Sequence, residues 1–123
     1  MRKIILASGS KFRRNQLESL HLCFMQQVVD IDETRYQGET AMEVAARLSR
    51  GKAQAVNDQE AVIIGSDQTI DCNGVILGKP STVEKARSLL REISGQLLMV
   101  YSGICVLDRR YDCLLYTSDA ADE

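Results

Sequence analysis

Apolar residues occur in this chain as short continuous runs and as longer helical rhythms, and the two alternate. Residues 3–7 (Lys-Ile-Ile-Leu-Ala) read as a buried strand, and the small residues Ser8-Gly9-Ser10 follow as a loop. Phe12, Leu17 and Leu20 then fall on one face of a helix over 11–20, with Ser10 as its N-cap. Residues 23–29 predict a second short strand with an acidic exit, Asp30-Ile31-Asp32-Glu33. Thr40-Ala41-Met42-Glu43 matches a capping box and opens a helix to about residue 56, with Val44, Leu48, Ala45 and Ala55 as its apolar face. The apolar run 61–64 predicts a core strand that stops at Gly65-Ser66-Asp67-Gln68, and Asn73-Gly74 predicts a tight hairpin beside it. Ser81-Thr82-Val83-Glu84 is a second capping box, for a helix through Ala86, Leu89 and Leu90 that ends at Ser94-Gly95. Residues 96–107 predict a strand pair or one long bent strand, with a bulge at Ser102-Gly103. The alternation implies an α/β fold, a mixed sheet flanked by helices.

A chain of 123 residues that is 45% hydrophobic fits a single domain. Its net charge of −2 offers no basic footprint for duplex nucleic acid or a membrane surface, so an anionic ligand must be held by local groups. The apolar start is too short for a secretion signal or a span, which leads to the expectation of a soluble, cytoplasmic protein. Cys23, Cys72, Cys105 and Cys113 form no CxxC pair and sit mostly in strand-like surroundings, where a free cysteine acts as a small apolar residue.

Charge placement narrows the chemistry. Lys11, Arg13 and Arg14 crowd the first turn of the first helix, where each cation opposes the macrodipole by roughly 0.3–1 kcal/mol. Either these side chains point into water or an anion completes the site. Gly51 costs its helix about 1 kcal/mol relative to alanine, so a close approach is expected there. Asp67 at the end of a core strand and Lys79 after the hairpin place an acid and a base at one sheet edge.

Taken in order, these segments resemble the Maf family of nucleoside triphosphate pyrophosphatases. The start LASGSKFRRNQLESL resembles that family's opening, and Asp32-Glu33, the 47–53 segment ending in Lys52-Ala53, IIGSDQ, LGKP, Ser94-Gly95 and Tyr101-Ser102-Gly103 follow in the family's order. The resemblance covers nearly all of 1–112. It implies a Maf/ITPase-like fold, a homodimer when full length, and hydrolysis between the α and β phosphates with a divalent metal, Mg²⁺ or Mn²⁺. Ser8, Ser10 and the helix N-terminus then suit phosphate oxygens, Arg13 supplies a planar fork, and Lys52 and Lys79 act as point charges. Glu33 and Asp67 become metal donors, and Asp67 the proposed proton acceptor. An ordinary Asp, with a pKa of about 3.9, is a feeble base, and nearby lysines push it further down. Orientation of a metal-bound water is therefore expected of Asp67 rather than free general-base action.

The SDQ form, with Gln68 where pyrimidine-directed branches carry a different residue, and an aromatic residue at Phe12, resembles the 7-methyl-GTP branch. An aromatic ring beside a cationic methylated purine gains roughly 0.5–2 kcal/mol by cation–π attraction. Other noncanonical or pyrimidine nucleotides, or a non-catalytic nucleotide-binding role in septum formation, are the alternatives. Residues 113–123, CLLYTSDAADE, resemble the translation of a sequencing-library adaptor and are expected to be a non-native tail on the N-terminal part of one domain, 1–112.

Overall fold

The computed structural model describes residues 2–78, 80–110 and, for the backbone only, 113–122. The elements run β1 (Ile4–Ala7), α1 (Lys11–Ser19), β2 (Met25–Gln26), α2 (Ala41–Gln54), β3 (Val62–Cys72), β4 (Val75–Leu77), α3 (Val83–Ile93), β5 (Leu98–Asp108) and β6 (Cys113–Asp122). They build one mixed sheet of order β2-β1-β3-β5-β6, with β4 paired to the far end of β3. β1 is parallel to β2 and β3, whereas β5 is antiparallel to β3 and β6. The segment expected to be an adaptor-like tail thus supplies a strand along β5.

The strand order is set by pairing on β3. β1 pairs with β3 only from Ile4↔Val62 to Ala7↔Gly65, and β4 only from Ile70↔Leu77 to Cys72↔Val75, so among the described residues 66–69 have no strand on that side. β5 pairs with β3 without interruption from Val62↔Asp108 to Cys72↔Leu98. This corrects two expectations. The core strand does not stop at Gly65, because β5 carries it through Asp67 to the hairpin; and there is no bulge at Gly103, which pairs in register with Asp67. Asn73 and Gly74 take φ of 52° and 85°, the left-handed pair that the tight turn requires.

Gly103 has a different reason to be glycine. α2 lies so close to the sheet that a Cβ at Gly103 would run into the Ala45 carbonyl, and one at Gly65 would run into the Ser49 carbonyl and the Ala53 amide. Gly51 answers the same need on the opposite side of the helix, since its Cβ would stand 3.1 Å from Ile31 Cδ1. Both halves of the α2 capping box form, and the Thr69 hydroxyl donates to the Ala41 carbonyl at 2.7 Å, fastening the first turn of α2 to β3. Beneath α2 lies a cluster containing Ile5, Ala7, Ala53, Val56, Ala61, Ile63, Cys105 and Leu107. Val44, Ala45 and Leu48 are buried as expected, but Ala55 is exposed and Ala53 takes its place.

The other two helices carry less of the core. α1 begins at Lys11 with Ser10 as N-cap, as its sequence predicts, yet none of its residues is buried and Phe12 is 65% exposed. Among the described residues no layer covers Phe12 or Leu20 of its apolar stripe, while Leu17 is half-buried. α3 is capped by Thr82, which accepts from the Lys85 amide, one residue later than the expected box; position N3 is therefore a lysine. Its far end is tied to the hairpin through Gln96, whose Oε1 accepts from Asn73 Nδ2 and from Cys72 Sγ.

Gly65→Ala is expected to destabilise the fold by about 3 kcal/mol, because backbone rather than a movable side chain blocks the added methyl. Gly74→Ala, strained only by its positive φ, should cost about 1 kcal/mol. Urea unfolding midpoints measure both; equal midpoints for Gly65→Ala and the natural protein would contradict the seating of α2.

Candidate active site

The site forms where β1 stops and β3 continues. After Ala7 the chain turns through Ser8-Gly9-Ser10 into α1. Ser8 Oγ accepts from the Ser10 amide at 3.1 Å, and Ser10 Oγ accepts from the Arg13 amide at 3.2 Å. Gln26, from β2, donates to the Ser8 carbonyl at 2.7 Å and pins the turn from beneath. The N-terminal end of α1, with its positive dipole, borders the same cleft as Ser66, Asp67 and Gln68 of β3, on the side away from β5. Open-ended parallel strands beside a change of connection are where α/β sheets take ligands.

A cleft of about 820 Å³ occupies this gap. One half of its wall is polar: Ser8, Gly9, Ser10, Arg13, Lys52, Ser66, Asp67 and Gln68. The rest is largely apolar: Phe12, Ile70, Leu77 and Leu98, with Leu89, Leu90 and Ile93 of α3. Asp67 and Gln68 alternate to opposite faces of β3, and the open edge lets both border one space. Of the residues expected from sequence, Ser8, Ser10, Phe12, Arg13, Lys52, Asp67 and Gln68 line this wall. Glu33 does not line it but reaches Lys52 from an outer loop, and its side chain is 59% exposed. Lys79 lies outside the described residues, though Gly78 and Pro80 on either side of it line the cleft.

The electrostatic centre is Lys52. Its ammonium group stands 3.1 Å from Asp67 Oδ1 and 3.4 Å from Glu33 Oε1. Asp67 has a side chain only 14% exposed, and burial pushes its carboxyl above the usual range. Lys52 pulls the other way by charge and hydrogen bond, and the Glu33 carboxylate adds to the rise. Burial wins, against the expectation that lysine would dominate. Arg13 donates to Gln16 at 3.3 Å, whereas Arg14 pairs with Glu18 at 3.1 Å beside a separate hollow. Of the three expected cations, Arg13 alone lines the cleft.

Among the described residues, no three His, Cys, Asp or Glu side chains form a metal-holding group. The acidic donors here are the pair Glu33 and Asp67, whose oxygens already share one cation. That donor set fits Mg²⁺ or Mn²⁺, which take one or two carboxylates and complete their shell with water and phosphate oxygens.

Sequence reasoning missed two features. The Ser66 hydroxyl is buried in the cleft wall with no hydrogen-bond partner among the described residues, and period-2 alternation from Gln68 could have placed it there. The α3 face was given no role from sequence, yet Leu89, Leu90 and Ile93 border the cleft and no α3 residue is buried.

The pH dependence follows from the Asp67 shift. A carboxyl whose folded pKa exceeds its unfolded value binds its proton more tightly when folded; the resulting stability is present below pH 3.8 and lost as pH rises through the folded pKa. Without added metal, Asp67→Asn should therefore raise Tm at pH 8 relative to the natural protein, with the gap closing at acid pH. Carboxyl NMR should show Asp67 titrating above 3.8, higher still in Lys52→Met and lower in Glu33→Gln. A lower Tm for Asp67→Asn at pH 8 would contradict the dominance of burial.

Comparison with known proteins bears on both fold and family. A solved structure, that of the Staphylococcus aureus Ham1 protein, superposes with a TM-score of 0.63 at 16% identity, covering 98% of this chain and 70% of that one; the likeness shows the fold. A 7-methyl-GTP pyrophosphatase of Polaromonas sp. (strain JS666) is 44% identical over 108 residues, 86% of this chain and 49% of that protein. Another from Cupriavidus pinatubonensis is 44% identical over 110 residues, 88% of this chain and 55% of that protein. One from Pseudomonas putida is 40% identical over 124 residues, 95% and 65% respectively. The chain spans about half the length of the first two relatives. The family described as Maf-like protein matches residues 3–121, and the chain belongs to the Maf family.

Proposed function

We propose that this protein is a nucleoside triphosphate pyrophosphatase that hydrolyses 7-methyl-GTP to the nucleoside monophosphate and pyrophosphate, removing a modified nucleotide from the pool. The observation that carries this reading is one cleft whose wall combines Ser8, Ser10, Arg13, Lys52 and Asp67 with a set of apolar side chains. The names of the relatives supply the substrate. The triphosphate would lie against Ser8, Ser10, Arg13, Lys52 and Lys79. The base would enter between Phe12 and the apolar face of α3, and Gln68 would meet its polar edge.

In this reading a water oxygen bonds to phosphorus at the α–β bridge, the bridging bond breaks, pyrophosphate leaves, and Asp67 accepts or orients the water's proton. A carboxyl held above its usual range is a better base than an ordinary Asp, which supports that role. Glu33 and Asp67 would hold the divalent ion, whose charge offsets that of the phosphate oxygens. Lys52, between those carboxylates, would keep both aimed at one point and neutralise the leaving group. Residues 1–112 would be the N-terminal part of one catalytic domain, with 113–123 non-native, in a homodimer of the cytoplasm. Among the described residues no helix is long and apolar enough to cross a membrane.

With Mg²⁺ or Mn²⁺, the complete protein should release pyrophosphate from 7-methyl-GTP in preference to GTP. Asp67→Asn should lower kcat by about 10²–10⁴-fold, the usual range for loss of a proton-transfer group. Unchanged turnover in that variant would remove Asp67 from the chemistry. Tight binding of 7-methyl-GTP with no turnover would favour a nucleotide-binding regulator instead.

A further inference from the structure

Glu33 is the site residue with the least regular support. It lies in a segment, residues 31–39, with neither helix nor strand, and its side chain is mostly exposed. Such a carboxylate should sweep a wide volume and lose entropy whenever it is fixed. The segment is nevertheless held by a compact set of bonds that converge on one side chain of α2.

That side chain is Arg47. Its Nε and Nη2 donate to the two Glu39 carboxylate oxygens at 2.7 and 2.9 Å, a planar two-point pairing. Nη2 also donates to the Thr34 carbonyl at 3.0 Å, and the guanidinium centre stands 4.0 Å from the centroid of the Tyr36 ring. Glu39 returns the contact by accepting from the Tyr36 amide at 2.8 Å. On the other side of Glu33, Asp32 Oδ1 accepts from the Thr34 amide at 2.9 Å and the Thr34 hydroxyl at 2.6 Å. Arg35 donates to the Ile76 carbonyl at 2.9 Å and ties the segment to β4. Both peptide neighbours of Glu33 are thus fixed, and Arg47 is joined to three residues of the segment.

We infer that Arg47 is a positioning residue: from the helix that also carries Lys52, it clamps the 32–39 segment so that the Glu33 carboxylate is presented to the cation site. Arg47 is not within the cleft wall and touches no phosphate position; it acts through Glu33. The inference rests on the proposed function only in making Glu33 a ligand of the divalent ion. The clamp itself is a matter of loop order.

The test compares the natural protein with Arg47→Ala, Arg47→Lys and Glu33→Gln, reading Mn²⁺ affinity from free-Mn²⁺ electron resonance without nucleotide and amide hydrogen exchange over residues 32–39. Arg47→Ala should weaken Mn²⁺ binding by about 10–100-fold, the usual effect of removing an outer partner of a metal ligand. It should also speed exchange at Thr34 and Tyr36. Arg47→Lys should recover little of either, because an ammonium group cannot reproduce the two-point pairing and the ring contact together. In a Glu33→Gln background, Arg47→Ala should weaken Mn²⁺ no further. An equal loss in both backgrounds, or full recovery by lysine, would overturn the clamp. Should the natural protein bind no Mn²⁺, the metal part of the proposed function falls and exchange alone decides: unchanged rates at Thr34 and Tyr36 in Arg47→Lys would overturn the inference.

Discussion

The structure depends on how closely α2 can approach the sheet. Two glycines, Gly65 on β3 and Gly103 two residues along on the neighbouring β5, where it pairs with Asp67, remove the side chains that would hold the helix away, and the backbone of α2 fills the space. Side chains at either position would push the helix away from the sheet. Without them it comes close enough for Lys52, late in α2, to reach Asp67, two residues beyond Gly65. The short reach of that pair is a consequence of packing, and the hydrophobic cluster below α2 provides the force that holds it.

Burial at the same place decides the electrostatics. A lysine at 3.1 Å would lower the pKa of an exposed aspartate, and at Asp67 it does pull in that direction. The close-packed helix removes water from the carboxyl, and the loss of hydration outweighs the attraction. A group so placed is costly to ionise and correspondingly ready to take a proton or a metal ion. Thr69, one alternation further along β3, fastens the first turn of α2 to the strand and so holds the helix close over the carboxyl.

Much of this was legible in the residue order. Capping residues, the Asn-Gly turn and the small-residue loop after β1 are local signals, and they placed α1, α2 and the hairpin to within a residue or two. The motif residues at 8, 10, 12, 13, 52, 67 and 68 likewise come together. What the sequence could not convey is pairing between distant strands. Gly65 resembled a strand end because nothing local announces that β5 will continue the sheet beyond it, and Gly103 resembled a bulge because a glycine forced by a helix looks the same as one forced by a turn. The stripes of α1 and α3 could not be assigned a partner for the related reason that an apolar periodicity does not say whether a layer exists to cover it. In α3 that stripe borders a cleft rather than a core.

If packing of α2 creates a single polyanion site, then the turn after β1, the late part of α2 and the middle of β3 must respond to one ligand as a unit. Titration of the isotope-labelled protein with inorganic triphosphate and Mg²⁺, followed by amide NMR, tests this most directly. Resonances of Gly9, Ser10 and Arg13 should shift together with those of Lys52, Asp67 and Gln68, along one saturation curve. Shifts confined to the separate hollow near Leu22 and Gln26, or movement at Arg13 with none at Lys52 and Asp67, would contradict the account.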